Sequence, residues 1–203
     1  MQGFILRVTK VKNEDLIVTI LTQSHLHTLY RFYGARHSTI NLGYKIDFEM
    51  EYQPGYLPKL RHITHLGFPW LKDLQKHLLW QRFVRLLYDH LREFEEVESF
   101  YFAMLERLAK KLTRQEPRRA FIEEYVRLLE FEGRLHSDMR CFVCDRKVKH
   151  PTLARAFLPA HTHCVPKEPF DEGKLRYLFE HKDTQFFDED EIERLWQTLQ
   201  EGF

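Results

Sequence analysis

The 203-residue chain is 43% hydrophobic and 30% charged, an ordinary balance for a globular protein with an ample core. A net charge of +1 excludes a uniformly basic surface, and no apolar run approaches the roughly 20 residues of a membrane span. All three cysteines lie in one stretch and no basic-then-apolar leader opens the chain, which argues against a disulfide framework and predicts a cytoplasmic protein without a membrane partner. The charge is uneven: residues 1–68 carry eight Lys/Arg against five Asp/Glu, Leu105–Arg119 six against two, and Asp183–Phe203 seven acids against one base. That asymmetry allows a basic face for nucleic acid with an acidic end turned away from it.

From Met1 to about Gly67 the hydrophobic period is two. Phe4, Leu6 and Val8 alternate with Arg7 and Thr9, and runs at Asp15–Leu21 and His27–Tyr33 follow. Tyr44–Tyr52 is the cleanest strand, with Tyr44, Ile46, Phe48, Met50 and Tyr52 on one face. Pro54-Gly55 predicts a turn before a fifth strand over Lys59–Leu66, and Asn13-Glu14, Gln23–His25 and Gly34–Gly43 are the other connections. Five short strands in this length predict a small closed barrel, with the OB-fold first and an SH3-like barrel as the alternative.

On these strands Arg7, Lys10, Lys12, Arg31, Arg36 and Lys45 interleave with Phe4, Tyr30, Phe32 and Tyr33. Single-strand binders need cations for the phosphate backbone and aromatic faces on which bases stack, so these residues, Phe4 excepted, form the candidate DNA-binding set. The competing reading puts the aromatics inside the barrel and leaves the cations as a solvated face.

The segments Met1-Gln2-Gly3-Phe4-Ile5-Leu6, Glu14-Asp15-Leu16-Ile17-Val18, Leu21-Thr22 and Tyr33-Gly34-Ala35-Arg36 resemble the opening of the RecO family, bacterial recombination mediators. Leu26 departs from that pattern: the family has a glycine between its Leu-Thr pair and the third strand, and leucine disfavours the positive φ that glycine tolerates. The resemblance implies an OB barrel followed by a helical domain. It also implies binding of single- and double-stranded DNA, annealing of complementary strands, contact with the acidic tail of single-strand DNA-binding protein (SSB), and work with RecR in loading RecA.

Past Gly67 the period becomes helical, over Trp70–Leu91, Phe94–Leu112 and Arg118–Phe131. Pro69 and Pro117 suit helix starts and Gly133 a helix stop. Ala120-Phe121-Ile122-Glu123, Leu128-Leu129, Gly133 and Cys141 follow one another in the order that RecO shows. Arg107, Lys110, Lys111, Arg114, Arg118 and Arg119, set around Leu108 and Leu112, are the candidate site for the SSB tail; the alternative is an ordinary solvated helix face. Gly173–His181 and Asp188–Gln200 read as two short amphipathic helices, the acids at 188–191 suiting a helix amino terminus.

Cys141-Phe142-Val143-Cys144 and His161-Thr162-His163-Cys164 present two close pairs of soft or borderline ligands, 16 residues apart. The spacing predicts a structural zinc clip held by Cys141, Cys144, Cys164 and a histidine, with His161 ahead of His163 and His150. Where RecO members carry metal, the resemblance implies a second Cys-x2-Cys pair; here Lys167 stands in the later position and His161 restores the two-residue gap on the other side. The alternative is that the cysteines are small buried hydrophobes. No P-loop, glycine-rich dinucleotide loop or Gly-x-Ser-x-Gly elbow is present, so an enzyme is not expected.

The predicted architecture is therefore α+β and multi-domain. A five-stranded OB-fold barrel occupies residues 1–68, and an all-helical domain at 69–203 carries the zinc-clip insertion at about 139–166. The predicted function is that of a nucleoid-associated DNA repair and recombination mediator. The rivals are an adaptor without DNA affinity of its own and a zinc-dependent hydrolase.

Overall fold

The computed structural model describes residues 1–36 and 38–203; His37, inside the expected connection 34–43, lies outside them. The chain divides into two compact units, Met1–Thr113 and Arg114–Phe203. The expected break at 68/69 coincides with the change from strand to helix, whereas the compact units meet 45 residues later because two helices pack with the barrel.

In the first unit β1 (Gln2–Lys10), β2 (Leu16–Leu21), β3 (Leu26–Arg31), β4 (Lys45–Glu51) and β5 (Lys59–His65) close a barrel in the order β1-β2-β3-β5-β4. All pairings are antiparallel except β3 with β5, which meet in parallel at Tyr30 and Lys59. Insertion of β5 between β3 and β4 is a Greek-key order, so the barrel is an OB-fold. Ile5, Leu16, Val18, Ile20, Leu29, Ile46, Phe48 and Leu60 fill it. Leu26 lies in β3 with extended backbone and donates its amide to Glu95 O at 2.8 Å, so the departure from the family pattern requires no positive φ.

Two helices, α1 (Leu74–Leu91) and α2 (Ser99–Lys111), complete this unit. Asp73 caps α1 by accepting from the Lys76 amide, which satisfies one of the donors a helix start leaves unpaired. Phe4, on the outer face of β1, is fully buried among Phe68, Trp80 and Phe102, with ring centroids 5.2–6.3 Å away. Trp80 reaches back to the barrel: its indole N–H donates to Gly43 O at 2.8 Å. Gly43 has φ +82°, and a Cβ there would stand 2.4 Å from the indole nitrogen. Gly3 is required for another reason, since a Cβ would lie 2.4 Å from Ile20 Cγ2 on the neighbouring strand.

The second unit is built on α3 (Pro117–Phe131), α4 (Glu172–His181) and α5 (Glu189–Leu199). Ala120 through Val126 are all buried, Glu123 and Glu124 included. Phe121 packs on Trp196 of α5, and Tyr125 lies between Phe157 and Phe203. Glu123 accepts from Gln115 Nε2 and Thr184 Oγ1, which offsets the desolvation of its carboxylate. The acids at the start of α5 form a capping box: Asp188 accepts from the Glu191 amide at 2.8 Å and Glu191 from the Asp188 amide at 3.0 Å. Within the expected insertion at about 139–166, β6 (Thr152–Ala154) and β7 (Leu158–Ala160) pair as a hairpin. None of the helices among the described residues is long and apolar enough to cross a membrane.

The close fit of Trp80 onto Gly43 is testable. Gly43→Ala should lower unfolding free energy by about 2 kcal/mol or more, from left-handed backbone strain and overpacking together, read as a lower urea midpoint with an unchanged slope.

Candidate nucleic-acid interface and metal centre

The barrel cations expected to meet DNA fall into two sets. Lys10 and Lys12 stand exposed at the β1–β2 connection. Arg7 is exposed but tied to α1, donating to the Tyr88 hydroxyl at 2.8 Å with its guanidinium 5.1 Å from that ring. Arg36 pairs with Glu14 and lies 5.0 Å from the Tyr33 ring. Arg31 donates to Leu60 O at 3.0 Å, and Lys45 makes a 2.5 Å ion pair with Glu106 while only 15% of its side chain is exposed. Lys45 and Arg31 thus hold the fold together, and the outward charge is concentrated at 7, 10, 12 and 36.

The aromatic members are held by one carboxylate. Asp15, 7% exposed, accepts from the Tyr30 hydroxyl at 2.5 Å and from the Tyr33 amide at 2.6 Å. That second bond stabilises Tyr33 at a φ of +50°. The hydrogen bond to Asp15 raises the Tyr30 hydroxyl above the ordinary tyrosine pKa, with burial and the carboxylate's charge acting the same way. Phe32 and Tyr33 stand 45% and 53% exposed, available as stacking faces. Sequence reasoning stopped at the barrel and missed Arg85 and Arg92, which line one cleft of about 470 Å³ with Arg7 and Tyr88. Arg92 caps the carboxyl end of α1 seven residues after Arg85, and that spacing was the signal, since it places them on one helix face.

The six cations proposed for the SSB tail are divided between the units. Arg107, Lys110 and Lys111 end α2, where Arg107 lies 5.4 Å from the Phe100 ring and Lys110 is exposed. Arg114, exposed, opens the second unit. Arg118 pairs with Glu193 at 3.0 Å. Arg119 donates to Thr184 O and Phe187 O and pairs with Glu189 at 2.6 Å, tying the start of α3 to the start of α5.

The cysteine segment folds as two facing turns. In the first, the Asp145 amide donates to Cys141 O at 2.8 Å, and Asp145 takes the left-handed conformation (φ +57°) that aspartate tolerates. In the second, the amides of Cys164 and Val165 both donate to His161 O at 2.9 Å. The Phe142 amide donates to Pro159 O at 3.0 Å, binding the first turn to β7, and Val148 and Ala160 pack around the buried Cys141. Each turn thereby offers its first and fourth side chains to a common point. The ligand atoms of Cys141, Cys144, His161 and Cys164 all lie within 4.8 Å of one another, a group that could hold a metal ion. His161 Nε2 faces Lys147 O at 3.2 Å; a carbonyl can only accept, so this nitrogen carries the proton and Nδ1, 3.4 Å from Cys144 Sγ, keeps its lone pair, able to accept from the thiol or to ligate a metal. His163 stacks on His161 instead of joining the group.

The thiols are already unequal. Burial pushes Cys141 up, but N–H donors from His161, Cys144 and Val143 outweigh it and bring the thiol down to about 6. Cys164 is pushed up to about 11, by burial first and then by Cys141 and Cys144. A cation at the centre removes that mutual repulsion.

With this geometry in place, the comparison with known families is decisive for the barrel. Residues 1–71 match the family model described as RecO N terminal. The barrel is a RecO N-terminal domain. The match covers the barrel and not the rest of the chain, and it suggests a role in DNA repair and recombination. None of the curated proteins matches the chain.

The Asp15 anchor has a measurable consequence. Asp15→Asn should return the Tyr30 hydroxyl toward the ordinary tyrosine range, seen by ultraviolet difference titration with Tyr30→Phe as the reference. Because the folded value is raised, the stabilisation from this bond is complete below the ordinary tyrosine pKa and is lost as pH rises through the raised one.

Proposed function

We propose that this RecO-family protein is a recombination mediator that binds single- and double-stranded DNA through its barrel and anneals complementary strands. In this reading it contacts the SSB tail and works with RecR to load RecA in the bacterial cytoplasm, associated with the nucleoid. The observation that carries the reading is the RecO N-terminal match over a closed OB barrel whose outward cations stand beside exposed aromatic rings. The mechanism is non-covalent. Lys10, Lys12 and Arg7 neutralise phosphates and release counterions, Arg36 being already paired with Glu14, while Phe32 and Tyr33 hold bases unstacked from one another. Two strands whose charge is partly neutralised repel each other less and can pair. The exposed Lys110 at the end of α2, with Arg107 and Lys111, is the part of the basic cluster suited to an acidic tail.

The Cys3His group fits zinc, because mixed thiolate and imidazole donors in a tetrahedron suit that ion. Zinc–ligand bonds of about 2.0–2.3 Å require only a small contraction from the present spacing. Four protein ligands leave no open coordination position, so zinc here fastens the turns to the hairpin and activates no water. That disfavours the hydrolase.

Fluorescence anisotropy of a labelled oligonucleotide over a salt series tests the DNA reading. Affinity should fall with salt, and Lys10→Ala with Lys12→Ala should flatten the log–log slope by roughly 0.7 per lysine on a single strand. No binding at low salt would leave the adaptor reading in its place.

For the metal, protein from a chelator-free preparation should carry about one zinc per chain, as a single four-ligand site requires. His161→Ala should lose it under a chelator challenge that His163→Ala survives. Metal-free wild type would overturn the clip.

A further inference from the structure

The turn between β4 and β5 forms, with the end of β3, a cleft of about 370 Å³ lined by Tyr30, Phe32, Gln53, Tyr56, Leu57 and Lys59. The cleft is prebuilt. The Tyr56 amide donates to Gln53 O at 3.2 Å across Pro54-Gly55, and Gly55 supplies the φ of +78° that this turn needs. The Tyr30 amide donates to Pro58 O at 2.9 Å, fastening the far end of the turn to β3. Tyr30, fixed by Asp15, meets Phe32 edge-on with ring centroids 4.9 Å apart. Yet Phe32, Tyr56 and Leu57 remain 45%, 79% and 42% exposed, an apolar surface that the barrel core does not use.

The chemistry of the lining selects an occupant. Aromatic faces suit a flat π-system, and the Gln53 carboxamide offers both a donor and an acceptor. Lys59 places an ammonium 5.4 Å from the Phe32 ring and 3.7 Å from a Glu51 carboxylate oxygen, so a cation stands at the rim of the site and a phosphate there would share it with Glu51. A flat polar ring attached to an anionic backbone satisfies all three features at once. We infer that this cleft takes one unpaired nucleobase of a single strand, stacked against Phe32 and Tyr56, with Gln53 at its edge and Lys59 beside its phosphate. A paired base is stacked and enclosed within its duplex and cannot enter. The inference rests on the DNA-binding reading above and adds to it a base site in the β4–β5 turn, closed by Tyr56 and Gln53.

The test compares a labelled thymidine oligonucleotide with an abasic strand of the same length, using the full chain. Stacking on aromatic side chains predicts roughly ten-fold tighter binding of the base-containing strand. Tyr56→Ala, at a position too exposed to unsettle the fold, should cut this preference several-fold and leave the abasic affinity unchanged; Tyr56→Phe should keep it. A preference that Tyr56→Ala leaves undiminished overturns the base pocket and leaves the DNA reading standing; equal affinity of the wild type for both strands overturns the pocket and the stacking on Phe32 and Tyr33, and leaves only the phosphate contacts of that reading. Absence of binding to either strand overturns both. A phenylalanine-ended acidic peptide that binds the wild type and is lost with Tyr56→Ala, while the two strands bind alike, assigns the cleft to a protein partner and overturns the inference.

Discussion

Phe4, Ile5 and Leu6 are buried in succession on β1, so this strand is covered on both faces, and the amino-terminal unit depends on that. Ile5 enters the barrel while Phe4 enters the aromatic group with Trp80 and Phe102. Full burial of a side chain of this size is worth roughly 1.5–3 kcal/mol, so both faces contribute comparably. A barrel strand that must also carry two helices cannot present that surface to a ligand. The groups proposed to face a ligand lie instead around the β1–β2 connection, the end of β3 and the β4–β5 turn, where Lys10, Phe32 and Tyr56 stand in solvent.

The same logic separates the basic residues. A cation within reach of a carboxylate or carbonyl loses much of its long-range pull, because the nearby charge screens it before a phosphate arrives. Lys45 against Glu106 and Arg119 against Glu189 and two carbonyls belong to this group. Lys10, Lys12 and Lys110 are exposed instead. A count of basic residues along the chain weighs these two groups alike; their partners distinguish them.

In the carboxy-terminal unit the cysteine segment solves a local problem. A connection between α3 and α4 of some 40 residues has little regular structure of its own: a three-residue strand pair and two tight turns. Such a segment buries little, and Cys141 with Val148 and Ala160 makes only a small core. Drawing four ligand atoms to one point gives a group that could hold a metal ion, and under the proposed reading coordination replaces burial. The Lys147 carbonyl contributes by fixing which imidazole nitrogen faces inward.

Much of this was legible in residue order. Period-two alternation marked the five strands, the change of period marked α1 to α3, and the acids at 188–191 marked the start of α5, because each is a local consequence of side-chain direction or of the helix dipole. Cys-x2-Cys and His-x2-Cys spacing likewise pointed to four ligands, since a tight turn brings first and fourth side chains together whatever surrounds it. Other features needed the folded chain. The hairpin at Thr152–Ala160 turns through Ala156 and Phe157 at positive φ, and neither residue type signals a turn. Whether the barrel closed as an OB-fold was decided by the parallel meeting of β3 and β5, a contact between residues 29 positions apart. His161 and His163 are near-equivalent in sequence, and the turn that points one inward and leaves the other stacked outside chose between them. Spacing along the chain determines what can meet; the direction of each side chain across the fold decides what does.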